Sequence, residues 1–351
     1  MDWTNKYFLG LLTAGLMILL TKQVAKTRLN GKADRYRGTK RPLYRADHSI
    51  LNIPLPPQSL WMNMGFWKDT EDFPTACRAL LEEVLKSAQV LQDEVSDNNN
   101  NIINTLSIID LGFGCGDQCL YIKNALNNQT QRNINNPWRR QIKAYVGITL
   151  ENPHFCIAQE RLGLKKSNTN AEFEIYCADA ARPASWTSEI RNAVSLACQT
   201  NDETGDHENW LLGLDTLYHF QPSRWPVIEY AQRELGTSLM AYDLCIAENL
   251  SMWQRIILRL MAFFGHSPFA NWVTIPEYRE QLVMAGYARE RVEIRDISEH
   301  VFGPLAGFMK KREVELDQYG LSIGRFRYAG KMFGWWGRTG IVRGCIIVAR
   351  K

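Results

Sequence analysis

Asp110-Leu-Gly112-Phe-Gly114-Cys-Gly116-Asp117 has the spacing of a ligand-binding turn. Three glycines at alternating positions let the backbone turn tightly and approach a ligand closely. The apolar run TLSIIDLG (105–112) before them predicts a buried strand, and a helix is predicted to open at the last glycine and run to about residue 127. A helix N-terminus offers free N–H groups and the positive end of a dipole, which suit a carboxylate or phosphate. The plain alternative is an ordinary strand-to-helix turn. The G-x-G-x-G spacing differs from the G-x-G-x-x-G of dinucleotide folds, which argues against a nicotinamide-dependent oxidoreductase.

The eight cysteines, from Cys77 to Cys345, include no C-x-x-C pair and no nearby histidine. They are expected to be reduced thiols, with no structural metal. Hydrophobic content of 45% and charged content of 22% exclude a disordered, collagenous or multi-span membrane protein. The net charge of +4 is concentrated in residues 22–45, which hold nine Lys/Arg against Asp34. No broad basic face remains for nucleic acid, and none is expected as a partner.

These residues need a frame. A helix is predicted over 70–93, capped by Asp72 or Thr70, with strands over 105–112, 141–150, 172–180, 210–220, 238–246, 289–298 and 344–351. Helices are predicted over 153–163, 186–198, 223–235 and 276–287. Alternating strands and helices predict an α/β fold, a mostly parallel seven-stranded sheet with helices on both faces. Residues 250–273 lie after the fifth strand, rich in Trp, Phe, Met and Ile with Arg255 and Arg259. They are either a lid or membrane-facing helix, or an ordinary amphipathic core helix. YAGKMFGWWGRTGIVRG (328–344) is either an aromatic interface belt or a buried hairpin.

With Asp110 two residues before the first glycine, the turn resembles motif I of the class I S-adenosylmethionine (SAM) methyltransferases. The resemblance covers residues 58–351 and is nearest the sterol, tocopherol and phosphoethanolamine branch and the cyclopropane synthases. WMNMGFWKD (61–69) resembles that branch's segment that closes over the cofactor. The resemblance implies the Rossmann-like class I methyltransferase fold and SAM as cofactor. It places Gly112, Gly114 and Gly116 at the methionine end, with Asp110 organising the loop or reaching the ammonium, and Asp117 beside them. Thr149, Leu150 and Glu151 fall where the second strand meets the ribose, with Thr149 and Glu151 as alternatives. Asp179 and Ala180 fall at the adenine. Plainer readings are a loop-capping aspartate for Asp179 and a helix cap for Glu151. Asp215-Thr-Leu-Tyr218-His219 resembles the D-T-x-x-H segment of the phosphoethanolamine methyltransferases, which implies catalytic roles for Asp215, Tyr218 and His219. A histidine near neutral pKa takes a proton from an ammonium or hydroxyl. The alternative for His219 is a core or substrate-shaping side chain.

Residues 7–21 are uncharged and bracketed by Lys6 and Lys22, which predicts a membrane-anchor helix within residues 1–22, with an interfacial or targeting helix, a signal peptide or a buried core helix as alternatives, followed by a basic and Pro-rich linker over 23–57. Fifteen helical residues span roughly 22 Å, short of a bilayer core unless the lysines snorkel. The basic residues after the span place the bulk of the chain in the cytosol. The endoplasmic reticulum is the expected membrane, with the mitochondrion as alternative. Together these readings predict a membrane-anchored methyltransferase for a small lipophilic acceptor, such as a sterol, lipid head group or secondary metabolite. A catalytically silent scaffold, or an enzyme for a soluble or RNA acceptor, is the alternative.

Overall fold

The computed structural model describes residues 53–91, 105–128, 138, 140–164, 172–199 and 207–351. The predicted anchor over 7–21 and most of the basic linker lie outside the described residues. Pro54–Asp317 and Ser322–Lys351 form one compact unit.

This unit opens with α1 (Phe73–Ser87), capped by Asp72, whose carboxylate accepts from the Thr75 N–H at 3.0 Å. Then come β1 (Thr105–Leu111), α2 (Asp117–Asn128), β2 (Gln141–Thr149), α3 (Asn152–Arg161) and β3 (Phe173–Cys177). α4 (Ser188–Cys198), β4 (His207–Leu214), α5 (Trp225–Arg233) and β5 (Ser238–Ile246) follow. The chain ends with α6 (Met252–Phe264), α7 (Ile275–Ala285), β6 (Val292–Asp296), α8 (Phe302–Gln318), α9 (Phe326–Thr339) and β7 (Val342–Ala349).

The seven strands form one sheet in the order β3-β2-β1-β4-β5-β7-β6, with β7 antiparallel to both its neighbours. The chain leaves β1 toward β2 and β3, then returns to β4 on the other side of β1. The gap above the carboxyl ends of β1 and β4 is therefore the switch point where such sheets bind ligands. Side-chain alternation sorts the core into two layers. Leu106, Ile108 and Tyr145 pack with α1, α2 and Trp210 on one face, whereas Ile109, Leu111 and Val146 pack with α4, α5 and α7 on the other.

One region differs from its predicted form. Residues 328–344 are not a hairpin or belt: they are most of α9 and the start of β7. Trp336 is buried against Trp272, Phe302 and Phe333. Three glycines, 330, 334 and 337, lower the helix signal there, and they do so because α9 meets α8 at close range. A Cβ on Gly337 would stand 3.0 Å from the Gly303 nitrogen. Residues 252–264 form an amphipathic helix: Leu258 and Ala262 are buried in the core, and the other side of α6 is exposed. Among the described residues no helix is long and apolar enough to cross a membrane. All eight cysteines are free, and five are buried.

Candidate active site

β1 ends at the glycine turn, and the turn is held by its surroundings. Gly112 has a φ of +77°, and a Cβ there would stand 2.3 Å from the Thr216 hydroxyl, so the loops after β1 and β4 touch only because this residue is glycine. Gly116 has a φ of +92° and faces the Ala158 methyl of α3. It packs a helix and does not line the cavity. Asp110 is also behind the wall. It is fully buried, with both oxygens accepting from Gln118 Nε2 at 2.7 and 2.8 Å and one also from the Tyr145 hydroxyl at 2.6 Å. Burial pushes its carboxyl up to about 6, against those two donors. Asp110 organises the turn and does not reach into the site.

In front of the turn lies a cavity of about 630 Å³. Gly112, Gly114 and Asp117 form one wall; Thr149, Leu150 and Glu151 follow at the end of β2, with Asp179 and Ala180 after β3. Asp215, Tyr218 and His219, after β4, complete the lining in a wall that adjoins the glycine turn. Eleven of the thirteen residues predicted for the site therefore meet at one place, Asp110 and Gly116 excepted. His154, Arg182, Phe220 and Gln221 also line it and were not predicted. His154 and Arg182 each lie three residues after a predicted acid, a spacing that places a helical neighbour on the same side.

Glu151 occupies the N-cap position of α3 yet makes no capping bond. Its exposed carboxylate lines the cavity, whereas Thr149 is almost wholly buried. Asp179 does cap its own loop: its Oδ1 accepts from the Ala181 N–H at 3.0 Å, and Arg182 lies 3.3 Å from its Oδ2. Asp117 is committed too. Arg161 holds it through two nitrogens at 2.6 and 2.9 Å, and its Oδ2 accepts from the Leu60 N–H at 3.0 Å.

That last bond ties down a strap, residues 58–67, which roofs the cavity through Leu60, Trp61, Met62 and Asn63. The strap's second tie is the Met64 N–H, donated to Asp215 Oδ2 at 2.7 Å. Asp215 sits at a φ of +58°. Its other oxygen, Oδ1, is buried with no hydrogen-bonded partner among the described residues. Burial pushes this carboxyl up to about 7, opposed by the Tyr218 hydroxyl and the Met64 N–H. His219 is held below the ordinary histidine value, chiefly by burial and also by the charge of His266, against the His266 backbone, which favours the charged ring.

The turn carrying Tyr218 and His219 is itself clamped. Asn271, fully buried, donates through Nδ2 to the carbonyls of Tyr218 at 3.1 Å and Phe220 at 2.9 Å, and accepts from the Arg224 N–H at 3.0 Å. The Ser267 hydroxyl donates to the Tyr218 carbonyl at 2.6 Å. Beneath it, Arg224 pairs with Asp243, and both are fully buried.

No protein-family model and no curated protein matches the chain. Solved structures do match in fold. A mycolic acid cyclopropane synthase complexed with S-adenosylhomocysteine (SAH) has a TM-score of 0.53 at 12% identity, over 83% of this chain and 90% of that one. A cyclopropane synthase from Mycobacterium tuberculosis has 0.51 at 13%, over the same shares. A phosphoethanolamine N-methyltransferase from Haemonchus contortus, in complex with phosphomonomethylethanolamine and SAH, has 0.50 at 12%, over 79% of this chain and 53% of that one. The likeness is one of fold, and the chain carries the Rossmann-like fold of the class I methyltransferases.

Proposed function

We propose that the chain is a SAM-dependent methyltransferase acting on a small lipophilic acceptor at a membrane. The observation that carries this reading is the single cavity at the switch point, lined by a glycine turn, a free acid and a histidine. The donor set fits the cofactor. Gly112 and Gly114 hold the methionine end, Glu151 rather than Thr149 accepts from the ribose, and Asp179 with Ala180 lies at the adenine. The solved structures of like fold that hold SAH support the same cofactor. SAM, when bound, supplies a methyl carbon already activated by its sulfonium.

The protein's share of the chemistry is positioning, exclusion of water and management of one proton. Burial keeps the His219 ring below the ordinary histidine value, so it is neutral and free to take the proton of the acceptor. Asp215 Oδ1 is a spare acceptor in the same wall, suited to a hydroxyl or amine on the acceptor. Leu214 and Phe220 beside them, with Phe113 of the glycine turn, add apolar lining, which favours a lipophilic molecule. Residues 7–21 would tether the enzyme, with the cavity on the cytosolic side of the endoplasmic reticulum or mitochondrial membrane.

The test uses the purified full chain, methyl-tritiated SAM and a total lipid extract, with Gly114→Arg as blank. Gly114 stands 3.3 Å (as a built Cβ) from the Met62 sulfur, so arginine there fills the space under the strap. Label in the organic phase, absent in the blank, is the expected result. Label only in an aqueous or macromolecular phase discards the lipophilic acceptor. Failure to bind SAM in calorimetry, by a protein with wild-type melting, would overturn the methyltransferase reading itself.

A further inference from the structure

α6 exposes a run of large apolar side chains. Met252 and Trp253 are each 74% exposed, and Ile256, Ile257 and Leu260 are 37–41% exposed. At about 100° per residue these five fall in one arc of roughly 140°. The opposite side, with Leu258 and Ala262, is buried in the core. Nothing in the helix itself is weak: Ser251 and Gln254 form a complete capping box. The exposed arc is thus a built face and not a frayed end.

Charge says what covers it. No acid occurs between Glu248 and Glu277. Arg255 and Arg259 fall along one edge of the arc, both exposed, and neither is in an ion pair among the described residues. Arg259 is held upright over the Phe269 ring at 5.0 Å. An apolar arc edged by arginines, free of acids and about 20 Å long is the form of a helix that lies in a membrane interface. The apolar side chains enter the acyl boundary and the guanidinium groups reach anionic head groups.

Position gives the face a purpose. The hook that ends α6 carries Ser267 and Asn271, which bond the backbone of Tyr218 and Phe220 in the cavity wall. The apolar helix and the acceptor side of the cavity are therefore one rigid piece.

We infer that the exposed face of α6 docks on an anionic lipid bilayer and sets the acceptor side of the cavity against it, so that a lipophilic molecule is drawn from the membrane itself. This rests on the proposed methyl transfer for its purpose, but the docking is tested separately.

Hydroxyl-radical footprinting of the full chain reads Met252 and Trp253 directly, with Met284, 66% exposed on α7, as internal reference. Vesicles of phosphatidylcholine with phosphatidylserine should slow oxidation of Met252 and Trp253 by about fivefold or more and leave Met284 unchanged. A Trp253→Glu, Ile257→Glu chain, folded by melting, should lose the Met252 protection. Unchanged oxidation overturns the inference. So does equal protection by phosphatidylcholine alone, or protection without vesicles, which would mean a second copy or the chain's own N-terminal segment on this face. SAM affinity measured on the same preparation separates the two readings. Lost binding with intact protection removes the methyltransferase and keeps the docking face; the reverse removes the face alone.

Discussion

His219 and Asp215 stand on one wall, and burial moves both toward their neutral forms by shifting their pKa values in opposite directions. Burial holds His219 below the ordinary histidine value, so at pH 7 it is neutral and able to accept a proton. His219→Ala should lower kcat by about 100-fold or more while leaving SAM affinity within about twofold. A kcat like that of the wild type would make His219 a wall residue only. Asp215 is raised to about 7, so the folded state holds its proton more tightly than the unfolded chain. The resulting stability is complete below the ordinary value of 3.8 and is lost as pH rises to about 7. Asp215→Asn keeps an acceptor for the Met64 N–H and removes the titration. The wild type should lose stability relative to it by about 1.4 kcal/mol per pH unit across that window. Parallel urea-unfolding midpoints between pH 4 and 8 would contradict this. These residues were legible because their motifs are short and local. The second oxygen of Asp215, left over once Met64 has taken the first, was not, since Met64 lies far away in the sequence.

The elements divide in the same way. Strands β1 to β5 announce themselves by apolar runs ending at turns, and α1 by the Asp72 cap before its apolar face. α8 and α9 do not, because their five glycines at 303, 307, 330, 334 and 337 lower the helix signal. Two of these glycines separate local preference from packing. A Cβ at Gly307 meets nothing within 4 Å, and Gly307→Ala should stabilise the chain by about 0.5–1 kcal/mol. A Cβ at Gly337 would stand 3.0 Å from the Gly303 backbone. There the same gain is outweighed by an overpacking cost of about 1–3 kcal/mol, and Gly337→Ala should lower the melting temperature. Equal shifts in differential scanning would mean that the two helices do not cross closely. The buried pair of Arg224 and Asp243 was equally hidden, because a charge in sequence gives no sign of being 0% exposed. Replacing one partner alone would strand the other.

At the scale of the whole molecule, the sheet order brings together the ends of four strands that are far apart in the chain, and the site is a product of that order. The strap is its most distant contributor. Its ties reach across 57 residues to Asp117 and 151 residues to Asp215. During synthesis, residues 58–67 meet α1 first, through Asn63 to the Cys77 carbonyl and Phe66 to the Ala76 carbonyl, whereas the tie to Asp215 waits until β4 exists. Contacts of such separation close late. The tie at Asp215 is therefore the last of the strap's fastenings to close. A chain truncated before Asp215 keeps the ties to α1 and Asp117 but leaves Met64, buried in the finished fold, without the wall it packs against, a difference that limited proteolysis within 58–67 would read.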